Sequence, residues 1–141
     1  KKLNQKTIVL LGDGEINEGS VWEAAISASN NKLNNLIVII DYNKQQAYGY
    51  SNSFANLEPI EDKWNSFGFL THSINGHDLK MIRKTFKKIK FNKGRPNLII
   101  LNTVKGKGIR ELENNPAWHH KSKINENEIS KLKSSINKNL L

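Results

Sequence analysis

Apolar positions along the chain follow two alternating rhythms. Thr7–Leu11 (TIVLL) is apolar or β-branched at every position, the pattern of a strand buried on both faces. Leu36–Asp41 (LIVIID) repeats that pattern, as does Asn97–Val104 (NLIILNTV), which Pro96 opens; Phe69–Ile74 (FLTHSI) is a weaker strand of the same kind. Between these runs the spacing turns helical. Val21, Ala24, Ala25 and Ala28 recur through residues 19–33, and Leu79, Ile82, Phe86 and Ile89 share one face of a helix that Asp78 caps. Ile129, Leu132, Ile136 and Leu140 are expected to point inward from a last helix, residues 126–140. A short helix is predicted over residues 58–67, ending at Gly68, while 43–57 and 106–121 read as loops.

Strands alternating with helices predict an α/β fold: a parallel sheet with helices on both faces. A parallel pair needs a crossover, which the helix at 19–33 supplies between the first two strands. In such sheets, ligands gather beyond the carboxyl ends of the strands. At 141 residues the chain is long enough for one hydrophobic core, and no apolar run approaches the ~20 residues that span a bilayer.

The formal charge of +9 raises the question of nucleic acid. Only three of the 22 basic residues are arginine, and Asn and Ile are also abundant, a bias that an AT-rich genome produces on solvent-facing positions. The stretch 84–93 (KTFKKIKFNK) sets Phe86, Ile89 and Phe91 between its lysines, as the solvated face of an amphipathic helix does. Nucleic acid and membrane are therefore not the expected partners. The chain has no cysteine, which excludes disulfides and thiolate metal sites and fits a reducing cytoplasm. Because it opens at Lys1 and its one methionine is Met81, the start of the gene product is expected to lie upstream.

The chemistry concentrates in VLLGDGEINEGSVWEAA, residues 9–25, where a strand passes into a helix through a loop bearing Gly12, Gly14, Asp13, Glu15 and Glu18. The loop is not a P-loop, since Ser20 and Val21 follow Gly19 where Lys and then Ser or Thr are needed. Nor is it a dinucleotide fingerprint, since position 17 is Asn. Asp13 ends the first strand and Asn43 the second. If the strands are neighbours, ~4.8 Å apart, the carboxylate and the amide oxygen approach one another across thirty positions of sequence. With a main-chain carbonyl they form a hard all-oxygen set suited to Mg²⁺ or Ca²⁺, and a bound cation lets a diphosphate sit beside acidic residues. The glycines allow close approach, and the helix amino end adds a favourable field.

The segment GDGEINEGSVWEAAISASNNKLNNLIVIIDYNK resembles the thiamine diphosphate motif, GDG followed about thirty residues later by Asn, in the version found in transketolases. NGHD at 75–78 and TVKGKGIRELENNPAWHH at 103–120 are similar to further transketolase segments, so the resemblance covers about residues 7–122. It implies that residues 1–122 form part of a thiamine diphosphate- and Mg²⁺-binding domain, with 123–141 its C-terminal helix or the start of a linker.

The resemblance implies that Asp13 and Asn43 bind the metal through side chains and Gln45 through its main-chain oxygen, with Gly12, Gly14, Asn43 and Lys105 near the cofactor. Glu18 matches a glutamate at the family's dimer interface, where paired carboxylates share a proton. His119 matches a histidine that faces cofactor and donor sugar and moves protons at the reacting hydroxyl. His77 reads as a turn residue and His72 as a strand residue. The implied activity is transfer of a two-carbon ketol unit from a ketose to an aldose phosphate, in an enzyme completed by a pyrimidine-binding domain or C-terminal transketolase subunit, in the form of a homodimer or heterotetramer. The chain alone is expected to be inactive. Alternative readings are a pyruvate dehydrogenase-like or deoxyxylulose-phosphate synthase-like enzyme, or a non-catalytic basic binding module.

Overall fold

In the computed structural model, residues 5–46, 49–50, 56–91, 94–118 and 121–139 are described. Their four long strands are β1 (Thr7–Gly12), β2 (Leu36–Tyr42), β5 (Leu70–Asn75) and β6 (Asn97–Asn102). They pair in parallel in the order β1-β2-β6-β5. β2 and β6 are central, which is why their runs of Ile, Leu and Val are nearly continuous: Ile37, Val38, Ile40, Leu98, Ile99 and Ile100 are all buried.

Helices cover the sheet on both faces, as the alternation predicts. Successive strand residues point to opposite sides. Val38, Ile40, Leu98 and Ile100 therefore pack with Ala25 and Ala28 of α1 (Gly19–Asn30) and with Trp64 of α2 (Ile60–Ser66). Trp64 meets Phe69 edge to face, ring centroids 4.8 Å apart. Ile37 and Ile99 face the other way, toward Ile89 and Phe91 beyond α3 (Leu79–Lys88). Asp78 caps α3 as expected, its Oδ1 accepting the Met81 N–H at 2.9 Å.

Four expectations need correction. β1 is not buried on both faces: it is an edge strand among the described residues, and Ile8 and Leu10 are 57% and 65% exposed. An apolar run shows that a strand suits burial, not that a neighbour covers it. The predicted face of α3 is also looser: Ile89 is buried as expected, but Leu79 and Phe86 are exposed, and Thr85 is buried in their place. The segment 43–57 is not all loop, because β3 (Gln45–Gln46) pairs antiparallel with β4 (Gly49–Tyr50).

The last helix, α4 (Glu126–Asn139), exposes Ile129 and Ile136; Leu140 lies outside the described residues. α4 is fixed by polar contacts. Asn125 and Glu128 exchange main-chain and side-chain bonds in a reciprocal cap, Lys121 pairs with Glu128, and Ser135 Oγ donates to Glu111 Oε2 at 2.5 Å.

Candidate functional site

Parallel pairing sends every long strand to the same edge of the sheet with its carboxyl end. The β1–β2 register sets Gly12 opposite Asp41. The loops that continue from these residues, Asp13-Gly14 and Tyr42-Asn43, therefore leave adjacent strands side by side. Asp13 is 2% exposed, and its carboxylate raises the pKa of the Tyr42 phenol, after burial and the contact with Glu58. Asn43 closes a side-chain turn, its Oδ1 accepting the Gln45 N–H at 3.0 Å. An amide oxygen has two lone pairs, so this bond leaves a further acceptor position.

Gly12 and Gly14 are held by short-range contacts. The Gly12 N–H donates to Glu15 Oε2 at 2.6 Å, and Gly14 is in ordinary right-handed conformation before the single turn at Glu15–Asn17. A Cβ at Gly12 would meet only Glu15 Oε2 at 3.5 Å, ordinary contact. The protein's own packing thus does not demand glycine at position 12. Glu18 is exposed at the start of α1, in extended backbone and making no side-chain cap.

A cavity of about 590 Å³ opens beside Asn43, over the carboxyl ends of β2, β5 and β6. Asn75, His77, Asn102, Thr103 and Lys107 line it. Neither Asp13 nor Lys105 lines it; the β1–β2 register brings Gly12, Asp13, Gly14 and Asn43 to one edge, and Lys105 lies in the loop that follows β6. There the Lys105 carbonyl accepts the Asn114 N–H at 3.0 Å.

His77 does more than make a turn. Its Nε2 accepts the Val104 N–H at 2.7 Å, tying the β5–α3 loop to the segment after β6. That contact joins residues 27 positions apart, and nothing in local sequence signals it. Thr103 Oγ1 donates to Asp41 Oδ1 and Thr103 N–H to the Tyr42 carbonyl, so the Asp41 carboxylate is engaged in holding β2 to β6. His119 and His120 lie outside the described residues.

The donors at this edge are hard oxygens, which suit Mg²⁺ or Ca²⁺ rather than a transition metal. No cluster of three or more His, Cys, Asp or Glu that could hold a metal forms among the described residues. Gln45 adds an independent sign of a ligand: it is 2% exposed, and among the described residues neither Nε2 nor Oε1 has a hydrogen-bond partner. A buried carboxamide is rarely left so in a finished structure. One carboxylate, one amide oxygen and a buried unsatisfied amide at a sheet edge that also opens a cavity fit a metal–diphosphate group.

The sequence profile described as "Transketolase, thiamine diphosphate binding domain" matches residues 1–139. Among curated proteins, one subunit of the apulose-4-phosphate transketolase of Actinobacillus succinogenes is 44% identical over 117 residues, covering 83% of this chain and 42% of that one. One subunit of the 6-deoxy-6-sulfo-D-fructose transketolase of a Clostridium species is 44% identical over 111 residues, 79% of this chain and 40% of that one. Among solved structures, transketolase of Campylobacter jejuni superposes with a TM-score of 0.76 at 35% identity, over 82% of this chain and 18% of its own. A Pichia stipitis transketolase complex with sedoheptulose 7-phosphate gives 0.80 at 26% identity, over 94% and 19%. The chain thus spans about two-fifths of the length of the subunits it matches. On the profile match and on identities of this size, the chain belongs to the transketolase family, within its thiamine diphosphate-binding domain.

Proposed function

We propose that the chain is the diphosphate- and metal-binding part of a transketolase-type enzyme that moves a two-carbon ketol unit between sugar phosphates. Asp13 and Asn43 would hold Mg²⁺ (or Ca²⁺) through side-chain oxygens and Gln45 through its carbonyl. Gly14 and Asn43 contact the diphosphate, Lys105 contributes positive charge, and the amino end of α1 favours the anion. Thiamine diphosphate, when bound, supplies the carbanion chemistry of cleaving a ketose next to its carbonyl.

The protein's own part is placement and proton movement. His119 relays a proton at the substrate hydroxyl, a task to which an imidazole is chemically suited. Glu18, exposed at the start of α1, meets a second subunit. The pyrimidine half of the coenzyme is bound by a complementary domain or subunit, so this chain alone binds weakly and does not turn over. Residues 1–122 belong to the binding domain, with 123–141 its closing helix.

The observation that carries this reading is the Gly12–Asp41 register, which sets the Asp13 and Asn43 loops side by side. Calorimetric titration with thiamine diphosphate and Mg²⁺ tests it. Weak binding is expected that EDTA abolishes and Asp13→Ala removes, with ketol transfer appearing only when a complementary subunit is added. Binding that is indifferent to both EDTA and Asp13→Ala would refute it.

A further inference from the structure

The opposite, amino-terminal edge of the sheet holds a second polar recess. It measures about 410 Å³, among Glu61, His72, Lys88, Lys90, Arg95 and Asn97. That is within the ~300–1,000 Å³ of small-molecule sites. Asn97 is 1% exposed, yet among the described residues neither Nδ2 nor Oδ1 has a hydrogen-bond partner. Leaving such an amide unpaired destabilises a fold. Local packing gives no reason for it: Leu98, Ile99 and Ile100 follow it in β6, all buried and apolar, and an aliphatic side chain would suit the position.

The surrounding charge is one-sided. Three cations face a single acid, Glu61. Arg95 is fixed in place, since Nε donates to the Gly68 carbonyl and Nη2 to that of Phe69, each at 2.7 Å. Those acceptors are neutral, and among the described residues no ion pair offsets its charge. Burial, and then the charge of Lys88, hold the His72 imidazole below its usual pKa, with Glu61 opposing. The recess thus repels a further cation and favours an anion.

We propose that this recess binds a small hydroxylated phosphate monoester. Lys88, Lys90 and Arg95 offset the dianion, Asn97 Nδ2 donates to a phosphate oxygen, and Asn97 Oδ1 accepts from a ligand hydroxyl. The amide needs both a donor and an acceptor, which inorganic halide or a bare carboxylate does not supply. The recess lies at the far end of the strands from the Asp13 and Asn43 loops, so its occupancy is independent of the coenzyme.

Titrating the full chain with glycerol 3-phosphate, inorganic phosphate or sodium chloride at matched ionic strength, followed by ¹H–¹⁵N NMR, tests this. Glycerol 3-phosphate is expected to shift the Asn97 side-chain amide saturably and raise the His72 pKa, with inorganic phosphate weaker and chloride without effect. Asn97→Leu is expected to weaken binding about tenfold while raising the melting temperature of the ligand-free chain. Lys90→Glu, a surface change that does not touch the core, is expected to weaken it too. An Asn97 amide that does not shift, or shifts alike with chloride, overturns the proposal, as does unaltered affinity in Lys90→Glu. None of these readouts requires thiamine diphosphate or turnover.

Discussion

The Tyr42 hydroxyl donates to Glu58 Oε1 at 2.7 Å, joining the carboxyl end of β2 to the turn that starts α2. Burial first, and then this bond and the nearby carboxylates of Glu58 and Asp13, push the phenol's pKa far up. Glu58 is held below the usual carboxylate range, by the Ile60 N–H first and by the Tyr42 hydroxyl second. For the tyrosine, a raised folded pKa gives stability that is present below about pH 10 and is lost as pH rises through the folded value. For the glutamate, a lowered pKa gives stability present above its ordinary value and lost as pH falls through the folded one. Tyr42→Phe is expected to cost about 1 kcal/mol at pH 7, to flatten the alkaline decline and to raise the Glu58 pKa. Urea melts from pH 7 to 11, with carboxyl NMR for Glu58, measure all three.

Asn43 has a structural role separable from its proposed role as a ligand. Asn43→Leu removes the acceptor of the Gln45 N–H and is expected to cost about 0.5–1.5 kcal/mol without metal, together with all Mg²⁺-dependent binding. Asn43→Asp keeps the acceptor and adds a hard carboxylate. It is expected to retain Mg²⁺ while weakening thiamine diphosphate through charge repulsion. Metal-only and coenzyme titrations of both variants separate the two roles.

Gly106 is glycine for a reason that can be measured. Its φ is +77°, and a Cβ there would lie 2.5 Å from the Leu112 carbonyl oxygen. Backbone cannot yield as a flexible side chain does, so Gly106→Ala is expected to lower stability by at least about 1–3 kcal/mol. The effect should centre on the loop that follows β6, visible as faster amide exchange at Lys107 and Asn114. Gly108→Ala, at φ +103° but with nothing within 4 Å of a Cβ, is expected to cost less.

The centre and the edge of the sheet predict opposite outcomes for two apolar positions. Ile100, 1% exposed in the centre, is expected to lose about 2–5 kcal/mol on change to Ala. Leu10, 65% exposed on β1, should tolerate Lys within about 0.5 kcal/mol. Leu10→Lys is also expected to reduce self-association, since exposed edge strands and apolar patches favour pairing. Chemical melts and sedimentation velocity decide both.

Legibility followed how local each determinant is. The runs in β2 and β6, the α1 crossover and the Asp78 cap are written in contiguous residues, and each formed as expected. The run in β1 is equally apolar, but its burial depends on what lies beside it, which no residue of β1 encodes. α4 illustrates the same point: its isoleucines are spaced for a buried face, while its fixed contacts are polar ones through Glu111 and Lys121. At the edge of the sheet, the neighbouring placement of the Asp13 and Asn43 loops was legible because parallel strand ends share an edge. The His77–Val104 bond and the unpaired amides of Gln45 and Asn97 were not, since each arises from tertiary placement.

Among the described residues β1 is joined to the sheet along one side only, by the ladder that pairs Gly12 with Asp41. A slip of one residue in that ladder would carry Asp13 roughly 3.3 Å along the strand and turn its side chain to the reverse of the sheet. The spacing of the proposed divalent-ion seat is therefore set partly by an aliphatic residue, Leu11 packed on the core beneath α1, which acts as a ruler for chemistry it never touches.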